Sequence, residues 1–244
     1  MLIAPLKTSE IIEQVGHRPS ELPMVTWKYY QEWNNVIFLH WKVDFDSLVN
    51  LLPKGLELEL FGGEPWVSLV AFSMEKVRLR NFPSFSPVSN FHEVNIRTYV
   101  RYKGKSGVYF LSIEGAKWLS CKIAKSMSGL PYRFSIMNRT INSFESKNSI
   151  SGTKLNLKYS VGELRKDKSD LDLWLTEKYA LFQEGKSGMT EFDIHHLPWD
   201  ILNIDTLEVK INYPKFQQYF NSPPNKIHYS QGVQVLAWAG KEKK

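Results

Sequence analysis

The residues best suited to chemistry stand on one short segment, Phe91-His92-Glu93-Val94-Asn95-Ile96-Arg97-Thr98-Tyr99-Val100. Side chains alternate across a β-strand, so Val94, Ile96, Thr98 and Val100 share one face and Glu93, Asn95, Arg97 and Tyr99 the other. The first face is core. The second is either a solvated outer surface with a Glu–Arg pair of little energetic weight, or the wall of a polar cavity in which these groups orient a ligand. A second segment alternates in the same way. Leu173, Leu175, Glu177, Tyr179 and Leu181 fall on one face of a strand predicted over 172–184, which leaves Glu177 among apolar neighbours. A carboxylate placed there needs a cation, hydrogen-bond donors or a proton, and such carboxylates are enriched at functional sites. Arg97 and Arg133 are its expected partners.

The other reactive side chains point to less. His195 and His196 sit on opposite faces of a predicted strand, 189–196, and adjacent strand residues do not readily share one metal ion. A zinc site would have to gather ligands from distant strands, such as His40, His196 and His228; structural histidines are the plainer reading, and no metal is expected. His196 is instead a candidate ligand contact. Lys117, Lys122 and Lys125 lie on a predicted helix, 115–127, and are expected in water, where an amine keeps its proton and is no nucleophile. Cys121 reads as an inert buried thiol. A nucleophile elbow, a dinucleotide fingerprint and a phosphate-binding loop are all absent from the sequence, so no cofactor is expected.

These residues must be held by a mostly antiparallel β fold. A short helix opens the chain after Thr8 or Ser9 and stops at Gly16. Strands are predicted at 24–32 and 35–43, broken at Asn34-Asn35, followed by a helix at 46–52. A strand at 56–60 forms a hairpin through Gly62-Gly63 with a long strand beginning near Trp66. Residues 81–90 read as a loop. Strands at 91–103 and 107–114 flank Gly104-Lys105-Ser106-Gly107. After the helix at 115–127 come strands at 131–145, 153–163, 172–184, 189–196, 204–211 and 226–238, with a Gly185–Gly188 turn and a short helix near 214–219. Many strands and few helices favour a barrel or sandwich in one domain.

Composition sets outer bounds. The 244 residues are 43% hydrophobic and 23% charged, with 8 Trp, 11 Tyr and 14 Phe, enough large rings for a substantial core. The net charge of +6 is thinly spread, and the tail Lys241-Glu242-Lys243-Lys244 supplies +2 of it. With no long Lys/Arg block, a solvated basic surface is expected rather than a nucleic-acid site, although Arg97, Arg101, Lys103 and Lys105 motivate that alternative. A single cysteine excludes an intrachain disulfide. Met1-Leu2-Ile3-Ala4-Pro5 lacks the charged lead of a signal peptide, and no apolar run is long enough to span a bilayer. A cytoplasmic protein with no membrane partner is the expectation.

Several phrases, taken in order, carry a resemblance. They are Phe38-Leu39-His40-Trp41, Gly63-Glu64-Pro65-Trp66-Val67, Glu93 to Val100, Gly107-Val108-Tyr109-Phe110, Gly129-Leu130-Pro131-Tyr132, Leu175-Thr176-Glu177-Lys178-Tyr179, His196-Leu197-Pro198-Trp199 and His228-Tyr229-Ser230. Together, over residues 24–238, they resemble the YqjF-like family of uncharacterised conserved proteins, whose usual Thr-Glu-Arg-Tyr becomes Thr176-Glu177-Lys178-Tyr179 here. That family is similar in fold to acetoacetate decarboxylase. The resemblance implies an α+β, mainly antiparallel chain, a cone-shaped barrel around a central pocket with a few short helices. The decarboxylases use a Schiff-base lysine in Gly-Phe-Pro-Lys-Lys. Here the phrase is Gly129-Leu130-Pro131-Tyr132-Arg133, with Tyr132 in the nucleophile's place and Arg133 in that of the second lysine. The fold carries over, while the imine chemistry does not. The decarboxylase glutamate corresponds to Glu93.

Two function classes follow. One is a small-molecule enzyme or binding protein. In it Glu93, Tyr132 and Glu177 are the acid–base candidates, and Asn95, Arg97, Arg133 and His196 are the ligand contacts. The other is a structural or regulatory protein that keeps the fold without the reaction.

Overall fold

The computed structural model describes residues 6–185 and 188–243. The lead Met1–Pro5, the middle of the Gly185–Gly188 turn and the final Lys244 lie outside the described residues.

In chain order the elements are α1 (Thr8–Glu13), β1 (Tyr29–Lys42), α2 (Phe45–Val49), β2 (Glu57–Leu58), β3 (Trp66–Leu79), α3 (Ser86–Ser89), β4 (Phe91–Tyr102), β5 (Lys105–Gly115) and α4 (Trp118–Ser128). Then follow β6 (Arg133–Phe134), β7 (Ile136–Arg139), β8 (Ser143–Asn148), β9 (Thr153–Leu164), α5 (Asp170–Thr176), β10 (Ala180–Glu184), β11 (Met189–His195) and β12 (Leu202–Asn212). A 3-10 turn (Gln217–Tyr219), β13 (Lys226–Ala237) and β14 (Lys241–Lys243) complete the chain.

The strands form one sheet in the order β14-β11-β10-β5-β4-β3-β1-β13-β12-β9-β8-β7, with β2 on β4 and β6 on β5. Its pairings are antiparallel except β5 with β10 and with β6. A further pairing of β11 with β13, Ile194 to Ala237 and His195 to Leu236, closes the path into a ring. The remaining arm, β12-β9-β8-β7, covers the other face of the central strands. Val94 and Ile96 of β4 pack there with Phe144, Leu155 and Leu157, while the opposite face of β4 looks into the ring. Central strands covered on both faces must be apolar nearly throughout, and β3 is buried continuously from Trp66 to Met74. No helix among the described residues is long and apolar enough to cross a membrane.

Several sequence expectations are corrected. The two strands predicted at 24–32 and 35–43 are one, β1: Asn35 takes a positive φ of 52° and makes a bulge rather than a break. Residues 56–60 give only the two-residue β2, which pairs with β4 instead of forming a hairpin with β3. The loop at 81–90 contains α3. Residues 131–145 divide into three short strands, β6, β7 and the start of β8, and the helix near 214–219 is one 3-10 turn. The strand predicted over 172–184 begins as helix α5 and becomes strand only at Ala180. Ser169 accepts the Asp172 N–H while the Asp172 carboxylate accepts the Ser169 N–H, a reciprocal cap that commits these residues to a helix. The β4–β5 hairpin turns at Lys103-Gly104, both at positive φ, which suits the twist of the paired strands.

Candidate functional site

Inside the ring lies a cavity of about 140 Å³. Its wall runs from the exposed Met127 to the buried Arg97. A cavity of this size accommodates about six non-hydrogen atoms, as a benzene-sized void does. Phe38, Phe72, Trp33 and Trp199 supply aromatic walls, Trp33 stacking on Trp199 and Phe38 meeting it edge-on.

The inward face of β4 provides the polar groups. Glu93, Asn95 and Arg97 are buried and line the cavity, and Tyr99 lies fully buried one step further along the face. Tyr132 joins them from the loop after α4. Gly129, at a φ of 73°, ends that helix in a left-handed cap by donating its N–H to the Lys125 carbonyl, and the chain then turns inward. The Tyr132 hydroxyl donates to Glu93 Oε2 at 2.6 Å, and Asn95 Nδ2 donates to Glu93 Oε1 at 3.0 Å. Burial pushes the Glu93 carboxyl up to about 7, although both hydrogen bonds pull it down. Burial and the neighbouring Glu93 hold the Tyr132 hydroxyl well above the ordinary phenol range. Glu93 therefore exchanges its proton near neutrality, while Tyr132 keeps its own and donates.

Arg97 is held differently. Nη2 donates to the Leu175 carbonyl at 3.3 Å, the guanidinium lies 5.5 Å from the Phe38 ring centre, and Nε has no partner. Among the described residues no carboxylate lies within 4.0 Å of it. The same Leu175 carbonyl accepts from the Tyr99 hydroxyl at 2.9 Å. From Tyr99 a buried chain crosses the sheet: Tyr99 to Ser68 at 2.6 Å, Ser68 to His40 Nδ1 at 2.6 Å, His40 Nε2 to His228 Nδ1 at 3.0 Å, and His228 Nε2 to Asp172 at 2.7 Å. Burial opposes the charge on Asp172, but hydrogen bonds from Ser169 and His228 hold its carboxyl below the usual range. Burial lowers both histidines, His228 to about 4. A carboxylate at one end and neutral rings between require each ring to donate through Nε2 toward Asp172. Asp172 and Leu175 both belong to α5, so the chain ties that helix to β13, β1, β3 and β4 and fixes the floor beneath Arg97.

The remaining predicted residues divide. His196 lines the cavity; burial takes it down to about 3, and its Nδ1–H donates to the Leu197 carbonyl at 2.8 Å. Glu177 lies behind the wall. At the end of α5 its carboxylate accepts from the Trp199 N–H at 3.0 Å and the Tyr179 hydroxyl at 2.7 Å, with Lys168 at 4.0 Å. It anchors Trp199, and its expected pairing with Arg97 or Arg133 is not formed. Arg133 turns away from the cavity to Glu114 at 3.2 Å and to Ser112. His40 and His228 meet as hydrogen-bonded rings, separated from His196 by Phe38 and Trp199. No group of three or more potential metal ligands occurs among the described residues. Lys122 and Lys125 are exposed as expected, whereas Arg101 and Lys105 are paired with Glu59, Glu191 and Asp193. Burial takes the Cys121 thiol up to about 11, in keeping with an inert residue.

Sequence reasoning missed Lys178, the one lysine on the cavity wall among the described residues. Its Nζ donates to Glu59 Oε2 at 2.8 Å and to Ser106 at 3.0 Å, and sits 4.6 Å from the Trp174 ring centre. Burial lowers its ammonium, with Glu59 opposing. The lysine at 178 in place of the usual arginine, within the Thr176–Tyr179 phrase, was the available signal, but Glu59 is 119 residues away.

Residues 30–234 match the DUF2071 family, described as "Uncharacterized conserved protein". The chain belongs to that family. It is also 31% identical, over 93% of its own length and 97% of the relative's, to the uncharacterized protein YqjF of Bacillus subtilis (strain 168). Among solved structures it is similar to acetoacetate decarboxylase from Legionella pneumophila, with TM-score 0.63 and 17% identity over 100% of this chain and 98% of the other. It is likewise similar to the enduracididine biosynthesis enzyme MppR, solved in complex with pyruvate, with TM-score 0.58 and 12% identity over 91% of this chain and 93% of the other. At these identities the likeness is one of fold, and this chain has an acetoacetate-decarboxylase-like architecture.

Proposed function

We propose that the domain holds a small organic carboxylate inside the ring, with Arg97 anchoring the anion and the Glu93–Tyr132 pair handling a proton beside it. The supporting observation is the electrostatics of Arg97. A guanidinium buried without a counter-ion is costly by several kcal/mol, and a bound carboxylate supplies the missing charge through paired N–H donors. Glu93, titrating near neutrality, is suited to general acid–base work on such a ligand. The pyruvate in the MppR complex is a carboxylate of the size this cavity takes. Imine formation has little support here, because Tyr132 stands where the decarboxylase lysine would be and the Lys178 amine is engaged by Glu59 and Ser106.

The test is a thermal melt with butanoate. At a hundredfold excess over its dissociation constant a ligand adds about 2.7 kcal/mol of stability, or about 5–10 °C for a chain of this size. Arg97→Met should abolish the shift, and Arg97→Lys should retain part of it. A shift that survives Arg97→Met counts against the reading.

A further inference from the structure

Among the described residues, two buried atoms on the cavity wall lack partners, and their hydrogen-bonding senses are opposite. Arg97 Nε is a donor and Asn95 Oδ1 an acceptor. Both residues are at least nine-tenths buried, at 9% and 3% exposure. Of the other polar atoms on the wall, the Tyr132 hydroxyl is engaged by Glu93, the Lys178 amine by Glu59, the Thr176 hydroxyl by the Asp172 carbonyl, His196 Nδ1 by the Leu197 carbonyl, and Gln31 Oε1 by the Trp33 indole. The Asn95 amide is fixed by its bond to Glu93, since the flipped amide would set its oxygen against an ionised carboxylate. A bare carboxylate answers Arg97 and leaves Asn95 Oδ1 desolvated, at a cost comparable with a lost hydrogen bond.

We infer that the ligand is a small carboxylate that also carries an O–H or N–H donor, a hydroxy acid being the simplest case, with its carboxylate on Arg97 and its donor on Asn95 Oδ1. Residues two apart on a strand are about 7 Å apart along it. One molecule of about six non-hydrogen atoms, the content this cavity takes, therefore reaches both. Apolar walls on the remaining sides favour an unbranched or planar carbon skeleton between the two polar ends. This inference rests on the proposed carboxylate site and narrows what that site selects.

The experiment compares butanoate, 3-hydroxybutanoate and 4-hydroxybutanoate by calorimetric titration at pH 8, where Glu93 is ionised. At least one hydroxy acid should bind about tenfold or more tightly than butanoate, the effect of satisfying one otherwise bare buried acceptor. Asn95→Leu should abolish or reverse the preference, so that neither hydroxy acid binds more tightly than butanoate, because the donor then faces an apolar wall. Asn95→Ser, which keeps an acceptor oxygen, should retain part of the preference and serves should the leucine variant fail to fold. Equal binding of all three by the wild type, the result if ordered water satisfies Asn95, overturns this inference and leaves the carboxylate site standing. A preference that persists in Asn95→Leu overturns it as well. Absence of binding by any of the three overturns both.

Discussion

Replacing Glu93 by glutamine isolates the energetic consequence of burying a carboxyl in this cavity. The carboxyl titrates at about 7 in the folded chain against an ordinary 4.5. Each pKa unit corresponds to about 1.4 kcal/mol, so the difference amounts to about 3 kcal/mol. The sign follows from proton linkage. Between pH 4.5 and 7 the folded chain binds more protons at this position than the unfolded chain, so the wild type loses stability as pH rises. Below 4.5 both states carry the proton and the penalty is absent; above 7 the folded state bears the charge and the penalty is complete. Glutamine mimics the protonated carboxyl at every pH. The stability of Glu93→Gln relative to wild type, measured by urea unfolding from pH 4 to pH 8, should therefore rise by about 3 kcal/mol across the interval. Other titrating groups are common to both proteins and cancel. A difference that stays flat across the range, or falls as pH rises, would refute the reasoning that burial dominates at Glu93.

Three further outcomes follow from the site. Glu177→Ala removes the acceptor for the Trp199 N–H and the Tyr179 hydroxyl; it should cost about 1–3 kcal/mol in urea unfolding and weaken carboxylate binding through a displaced Trp199, and an unchanged midpoint speaks against that anchoring role. Lys178→Met leaves Glu59 buried with Arg101 as its remaining cation and should destabilise by about 3–5 kcal/mol; a loss below about 1 kcal/mol contradicts the pairing. Borohydride treatment in the presence of acetoacetate or pyruvate should leave the intact mass unchanged, because Lys178, the lysine on the cavity wall among the described residues, is held by Glu59 and Ser106, whereas a stoichiometric adduct mapped to Lys178 would return the protein to imine chemistry.

How far the sequence carried depended on the range of the interactions. Strand alternation alone placed Glu93, Asn95 and Arg97 on a common face, since that periodicity is a local property, and the family phrases supplied the ring around them. Alternation misled at 172–176, where Leu173 and Leu175 suit a strand as well as a helix. The decisive signal was the capping pair Ser169 and Asp172, which the periodicity obscured. Asn34-Asn35 read as a break between strands because asparagine tolerates positive φ, and a bulge uses the same tolerance within an unbroken strand. The partners that decide the site's electrostatics were out of reach. Lys178 meets Glu59 across 119 residues and His40 meets His228 across 188, and only the closure of the sheet brings them together. That no carboxylate among the described residues lies within 4.0 Å of Arg97 is likewise visible only when every neighbouring strand is in place.

Arg97 is proposed as an anion anchor completed by ligand. A crystal structure of the wild-type chain soaked with 4-hydroxybutanoate tests it most directly. Density is expected within the ring, with a carboxylate oxygen within hydrogen-bond distance of Arg97 Nε and the hydroxyl on Asn95 Oδ1. A carboxylate bound elsewhere, or a cavity holding only water with Arg97 unchanged at saturating ligand, would contradict it.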